Sequence, residues 1–564
     1  MSVRSPHASS PWAIALVWLA AGLGLLLLAW SLPVSVTSIT PALLHAAGAG
    51  TPSVAQLGRQ LVDSEKIGPA TLVLHAAESV RDPQTPALRT ALAQLLTQQP
   101  EMVAWGGWDP FLDPLFNLRD PKGHTTSTPV LTFFIASQAR TTLRQYLANS
   151  RSLGVQAVLH TRETRETGRF VPADRAGGQP LDAVILLTAL LYQGEHLSPS
   201  LQREVRALAE DARQRQALGE LEAFYADLLA LAKRLDWGQL GELLRHTDDA
   251  KTVSEYAQLA RVAPDDLPLI YAAALFSDSA DRVASYLLRY GKSGLADLRE
   301  TLPLGQGAIR QLMLRQVPLN RAPAPALGGA AELGLLHPQL ALLAKWLGFL
   351  AGAFCLLRGL DRALFAGPTT PGLAPALSHL KSGLLALCLG GLLVLATEPF
   401  LLRAAPPSEF RMRLVLPVLV TSSELPPSPV AQPSHVMDTS TLLSIGLFAT
   451  LQIGMYLICL MKIREVARRP LAPLVKLKLM ENEENLFDGG LYVGIAGTAS
   501  ALVLQVLRVI EPNLLAAYSS NLFGIVCVAL VKIRHVRPYK CALILEGQLA
   551  TELPGTRAVD KTAS

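Results

Sequence analysis

The chain has 564 residues, half of them hydrophobic, with a mean hydropathy of +0.31, a formal net charge of +5 and a pI near 8.9. That length holds several domains, and that apolar excess excludes a purely soluble protein. The positive charge does not call for nucleic acid, because much of it flanks apolar spans, where it sets membrane orientation instead.

The first span, WAIALVWLAAGLGLLLLAWSLPV, comes after Arg4 and His7 and precedes a stretch with no Lys or Arg until Arg59. The positive-inside rule makes residues 1–36 a cytoplasmic N-terminus and first transmembrane helix, and places the chain after Val36 outside. A cleaved signal peptide is the alternative. The run is long for one and closes with Trp30, as an anchor does, and both readings export the next domain.

Residues 37–197 mix two patterns. ATLVLHA, PVLTFFIAS and VQAVLHT are short, apolar and partly β-branched and predict strands, whereas TPALRTALAQLLTQQ and QARTTLRQYLANS predict helices. A small α/β or α+β domain is expected. Residues 198–336 predict a helical array: Ser198 before Pro199 is a cap followed by a first-turn proline, and Gly291 is placed to end a helix. No repeat of fixed period runs through it, and an array of this kind offers a surface to a partner. The exported region holds no cysteine, so it folds without disulfides.

Within that region, Asp109, Asp113, Asp120 and His124 in GGWDPFLDPLFNLRDPKGHT can be drawn as a metal or acid/base cluster. Three Asp-Pro steps equally describe a turn-rich loop. Gly194, Glu195 and His196 lack a second ligand or a nucleophile, and Gly291, Lys292 and Ser293 have Tyr286 where a phosphate-binding loop needs glycine. No G-x-S-x-G, H-E-x-x-H or paired-cysteine spacing appears, so no enzyme, cofactor or metal is expected.

Five more spans are expected, near Pro338–Leu357, Leu384–Leu402, Leu442–Met461, Gly489–Ile510 and Leu514–Val531. They divide the rest of the chain into transmembrane helices 2–3 (337–402), a Pro-rich external loop (403–440), transmembrane helices 4–6 (441–533) and a cytoplasmic tail (534–564). The basic clusters at Arg358–Lys381, Lys462–Lys478 and Lys532–Lys540 all fall on the cytoplasmic side, while Arg403, Arg411 and Arg413 oppose the outside placement of their loop. Lys345 is expected to snorkel from the outer end of the second span, Glu398 to sit at the outer end of the third, and Arg508 and Glu511 to pair at an interface. The expected fold is mainly α: a six-helix polytopic protein of the bacterial inner membrane with both termini cytoplasmic and residues 37–336 periplasmic or extracellular.

The last two spans carry small and hydroxyl residues, Gly494, Gly497, Thr498 and Ser500 on one, Ser519, Ser520, Asn521 and Gly524 on the other. Lipid offers such groups no partner, so they face another helix or a wet cavity. The pair resembles the last two membrane helices of the MotA/TolQ/ExbB family of ion-driven stators: Gly494, Gly497 and Thr498 match its G-x-x-G-T run, and Ala516, Ser519, Ser520 and Gly524 approximate its A-x-x-T-T-x-x-G helix. The resemblance implies a homo-oligomer around a single-pass membrane protein with a transmembrane Asp, with Thr498, Ser519 and Ser520 lining the pore and Gly494, Gly497 and Gly524 permitting close helix approach. The exported array, for its part, is expected to bind an envelope protein. The chain departs from the family in its short segment between the fourth and fifth spans, in serines for threonines, in Asn521, and in supplying no acid from its first span. The alternative is that these residues only pack helices, in a membrane-anchored scaffold or sensor that conducts no ion.

Overall fold

The computed structural model describes residues 11–116, 118, 126–321, 328–364, 375–398, 400, 408–410, 439–506 and 514–552. The regular elements among them are helices, and extended pairing is confined to two isolated bridges, Ile39 with Leu319 and Glu166 with Ala217. The chain divides into two compact units, residues 39–321 with 405–418, and residues 1–38 with 322–404 and 419–564. Its first helix, α1 (Pro11–Ser31), is a near-unbroken apolar run. With no polar stripe, such a helix is covered on all sides by protein or lipid.

The unit built on residues 39–321 opens with α2 (Pro41–Gly48), α3 (Val54–Asp63), α4 (Ile67–Ser79) and α5 (Thr85–Gln98). A short α6 (Asp113–Phe116) leads to α7 (Val130–Ile135), α8 (Ser137–Ala148), α9 (Leu153–His160) and α10 (Gln179–Gln193). The remainder is α11 (Pro199–Arg215), α12 (Glu220–Ala232), α13 (Trp237–Arg245), α14 (Ala250–Val262), α15 (Leu267–Ser277), α16 (Ala280–Thr301) and α17 (Gln306–Arg315). Local signals set the boundaries. Ser53 with Gln56, and Asp236 with Gln239, form reciprocal capping boxes, and Ser198 Oγ accepts from Leu201 N at 3.1 Å. Gly291 breaks the α16 run at φ +56°, where the sequence predicts an end.

Two helices form the heart of this unit. Residues 181–191 of α10 and 269–276 of α15 are buried without interruption. Around α10 pack α7, α8, α9 and α12; around α15 pack α4, α13, α16 and α17. This corrects the α/β or α+β expectation for residues 37–197: ATLVLHA lies in α4, PVLTFFIAS in α7 and the start of α8, and VQAVLHT in α9. A short apolar run reads alike in a buried strand and a buried helix; here Leu and Ala favour the helix, and neighbouring helices cover it. The two ends of the unit are stitched together, Ile39 N donating to Pro318 O at 3.0 Å and Asn320 N to Ile39 O at 2.8 Å. Ser408–Phe410 also belong to it: Gln258 Nε2 donates to Phe410 O, and Phe410 is buried.

The other unit adds α18 (Gly328–Leu336), α19 (Pro338–Leu364), α20 (Pro375–Thr397), α21 (Thr439–Arg468), α22 (Pro473–Asn482), α23 (Glu484–Phe487), α24 (Gly489–Val506), α25 (Leu514–Ala529) and α26 (Arg537–Glu552). Close approach joins α1 to α19. A Cβ on Gly22 would lie 2.6 Å from Leu356 N, and one on Gly352 2.9 Å from Leu26. Where the chain leaves α1, Glu398 accepts from Val36 N at 2.8 Å and from Thr37 N and Oγ1, and Lys345 Nζ donates to Val34 O at 2.6 Å. Lys345 therefore does not snorkel; it is 4% exposed, because a backbone carbonyl leaving a helix needs a donor. The C-terminus of α1, the N-terminal part of α19 and the C-terminus of α20 thus share one end, as in three antiparallel helices.

Three helices are long and apolar enough to cross a membrane: Trp12–Ser31, Pro338–Ala363 and Tyr518–Gln548. The expected count of six is corrected to these three among the described residues. Leu385–Thr397 is a shorter apolar helix, and the expected spans in α20 and α24 run on into residues outside the described set. The last span does not end at Val531, because α25 continues through a π-helical turn, Leu530–Val536, into α26. Arg508, Glu511, Arg403, Arg411 and Arg413 lie outside the described residues.

Candidate functional site

The small and hydroxyl residues singled out in the sequence meet where α24 packs on α25. A Cβ on Gly494 would stand 2.9 Å from Ser520 O and 3.4 Å from Gly524 Cα; one on Gly524 would stand 2.6 Å from Gly490 O. A Cβ on Gly497 would strike Ser520 Oγ. These three glycines let two backbones approach as closely as small-residue motifs do in membranes. The hydroxyls are spent locally: Ser520, buried, donates to Gly494 O across the seam at 3.2 Å, and Thr498 donates to Gly494 O on its own helix at 3.0 Å. Ser519 is half-buried on α25, next to Ser520.

A third helix completes the seam. Gln452 on α21 is buried and gives its Nε2 to Gly490 O at 3.0 Å, beside Gly524, while Cys527 Sγ lies 3.6 Å from Gln452 O. Gln452 Oε1 and Asn521 Oδ1 are buried acceptors with no hydrogen-bond partner among the described residues. Sequence reasoning passed over Gln452 and Gly490. The available signal was a lone amide in the middle of an apolar span, a position where polar side chains are costly.

At one end of these helices the polar residues pair. Lys532 reaches Asp488 at 2.7 Å, Tyr456 Oη lies 2.8 Å from His535 Nε2, and Lys462 reaches Glu483 at 3.2 Å. Beneath them Cys459, Val466, Met480, Phe487 and Val531 form an apolar core. The end of α21, the start of α24 and the end of α25 therefore lie together, so the three helices alternate in direction.

In the helical unit, Asp109 and His196 come together although 87 positions apart in the numbering, and with them Trp237 and Arg245. Trp237 Nε1 donates to Asp109 Oδ2 at 2.9 Å, and His196 Nε2 lies 2.8 Å from the same oxygen. Arg245 Nη2 donates to His196 Nδ1 at 2.9 Å, so the ring accepts there and carries its proton on Nε2. Burial alone would raise the Asp109 pKa, but the His196 and Trp237 contacts outweigh it and hold it below the usual range. Among the described residues no nucleophile joins this network, and Asp120 and His124 lie outside them. Gly291 serves as the helix break, with Lys292 N directed at Glu409 Oε2.

No family model matches this chain, and neither a curated protein nor a solved structure matches it.

Proposed function

We propose that this chain is the multi-pass membrane component of a force-transmitting or ion-driven envelope assembly, with a large exported helical domain after its first crossing and membrane helices that oligomerise. The observation that carries the reading is the clamp at the exit of α1, where buried Glu398 and Lys345 hold residues 34–37 against the ends of α19 and α20. A second stitch, Ile39 with Pro318 and Asn320, ties the two ends of the helical domain to each other. Junctions fixed by buried charge and backbone pairing suit a part that carries load, whereas a flexible tether would need neither.

The topology has independent support. Ser408–Phe410 fold into the same unit as residues 39–321, which supports putting these three residues and that domain on one side of the membrane. The alternation of α21, α24 and α25 suits the direction of the three matching helices in the resembling family. In this proposal Thr498, Ser519 and Ser520 line an ion path completed by other copies and by an Asp on a single-pass partner, and the exported domain binds an envelope protein.

One observation favours the quieter reading, a scaffold without conduction: Ser520 and Thr498 already spend their hydroxyls on Gly494 O, as helix-packing groups do. The two readings separate on the mass and composition of the complex purified in mild detergent. A pentamer with a co-purifying single-pass protein bearing a transmembrane Asp is expected, with proton flux reduced in Thr498→Ala and Ser519→Ala. A monomer or dimer holding only soluble envelope proteins would overturn the stator-like form and leave the scaffold.

A further inference from the structure

Asp182, in the first turn of α10, has no exposed surface, and three guanidiniums converge on it. Arg140 Nη1 lies 2.9 Å from Oδ2, Arg162 Nε lies 2.8 Å from Oδ1, and Arg144 Nη2 also bonds Oδ2. One carboxylate balances one of the three, so the cluster keeps an excess of two positive charges. Elsewhere in the unit the imbalance is smaller: Arg321 meets two acids, Asp297 and Glu300, and Glu242 meets two side chains of fixed positive charge, Lys66 and Arg245.

No second acid answers these arginines among the described residues. Glu163 and Glu166, exposed close by in sequence, bridge to none of them, and the buried Nε atoms of Arg140 and Arg144 have no acceptor. Side-chain exposure is graded, 11% for Arg140, 28% for Arg162 and 40% for Arg144, so the cluster runs from the core to the solvent. Partly desolvated cations in excess are unfavourable until an anion completes them.

We propose that Arg140, Arg144 and Arg162, fanned out on Asp182, bind a dianionic oxyanion of the phosphate-monoester class, free or as a lipid headgroup. Two charges on the ligand match the two in excess. Arg140 and Arg144 stand one turn apart on α8, which puts them on the same face, and Arg162 comes from the short turn after α9. Asp182 fixes the three forks in advance and leaves Nη1 of Arg144 and both Nη groups of Arg162 to a ligand, the planar geometry that suits phosphate oxygens. Asp182 is thus an anchor, and the arginines are the binding groups.

The test uses the full chain in nonionic detergent at low ionic strength, titrated with inorganic phosphate against chloride, and in parallel with micelles doped with phosphatidic acid against phosphatidylcholine. Saturable binding of phosphate or of phosphatidic acid is expected, weakened roughly tenfold in Arg144→Gln and in Arg162→Gln, the loss expected for one charge-assisted contact. Arg144→Lys keeps the charge but not the fork and guards against an unfolded variant; it is expected to bind more weakly while α10 keeps its amide-exchange protection. Binding of the free ion assigns a soluble ligand, and binding of the doped micelle alone assigns a lipid. Phosphate no better than chloride together with phosphatidic acid no better than phosphatidylcholine, or unchanged binding in folded variants, would overturn the site and leave a structural lock.

Discussion

Asp182 and Asp236 are both buried at helix N-termini of the same unit, yet their surroundings drive them in opposite directions. Burial raises the pKa of each. At Asp182 the Arg144 and Arg162 contacts outweigh burial and hold the carboxyl below its usual range. Asp236 has hydrogen bonds from Gln239 N and Ser127 Oγ but no cation among the described residues, and burial pushes it up to about 7. Gly68 and Gly106 close over it; a Cβ on either would strike the carboxylate. Two solvent-inaccessible carboxyls thus differ, one staying ionised where cations face it and one titrating near neutrality where desolvation is deeper and hydrogen bonds alone oppose it.

The sharpest way to break this comparison is to remove the acid that has cations. Asp182→Ala leaves three guanidiniums around a buried space with nothing to balance them, and a loss of about 3–5 kcal/mol of stability is expected, as for other broken buried pairs. Amide exchange in α8 and α10 of the full chain reads it. A loss below about 1 kcal/mol would mean that solvent already screens the arginines.

Changing the pH probes the other acid. The folded Asp236 carboxyl keeps its proton to about pH 7, whereas the ordinary value is 3.8, so folding takes up a proton between those limits. Stability is therefore full below about pH 4, falls as the pH rises towards 7, and levels off above it; a gap of about 3 units corresponds to about 4 kcal/mol at most. Asp236→Asn, a neutral residue that also caps helices well, is expected to flatten this dependence while α13 remains intact. An unchanged slope in that variant would place the titration on another group.

The comparison also marks how far the sequence could be read. Ser198 as a cap, Gly291 as a break and the apolar run of α1 rest on chemistry within a few residues, and they stand in the structure as read. The runs in α4, α7 and α9 depart from the strand expectation because a buried run reads the same in a strand and a helix until its neighbours are known. Of the α24–α25 seam, Gly494, Gly497, Ser520 and Gly524 were legible from residue type; Gln452 shows in the sequence only as a lone amide in an apolar run, and its role depends on α21 approaching Gly490. The same holds for Asp182 with Arg140, Arg144 and Arg162, three helical segments brought to one carboxylate by the tertiary fold.

The smallest effect should come from Ser127, whose hydroxyl lies 2.8 Å from Asp236 Oδ2 and belongs to a loop outside α13. Ser127→Ala removes one hydrogen bond from a carboxyl that still caps α13 through Gln239, so about 1 kcal/mol of stability should be lost. Its signature is in the pH profile. The Ser127 bond lowers the Asp236 pKa, so without it the fall in stability should extend to higher pH. Melting of the full chain across a range of pH on both sides of neutrality separates this from a packing defect, which would lower stability equally at every pH.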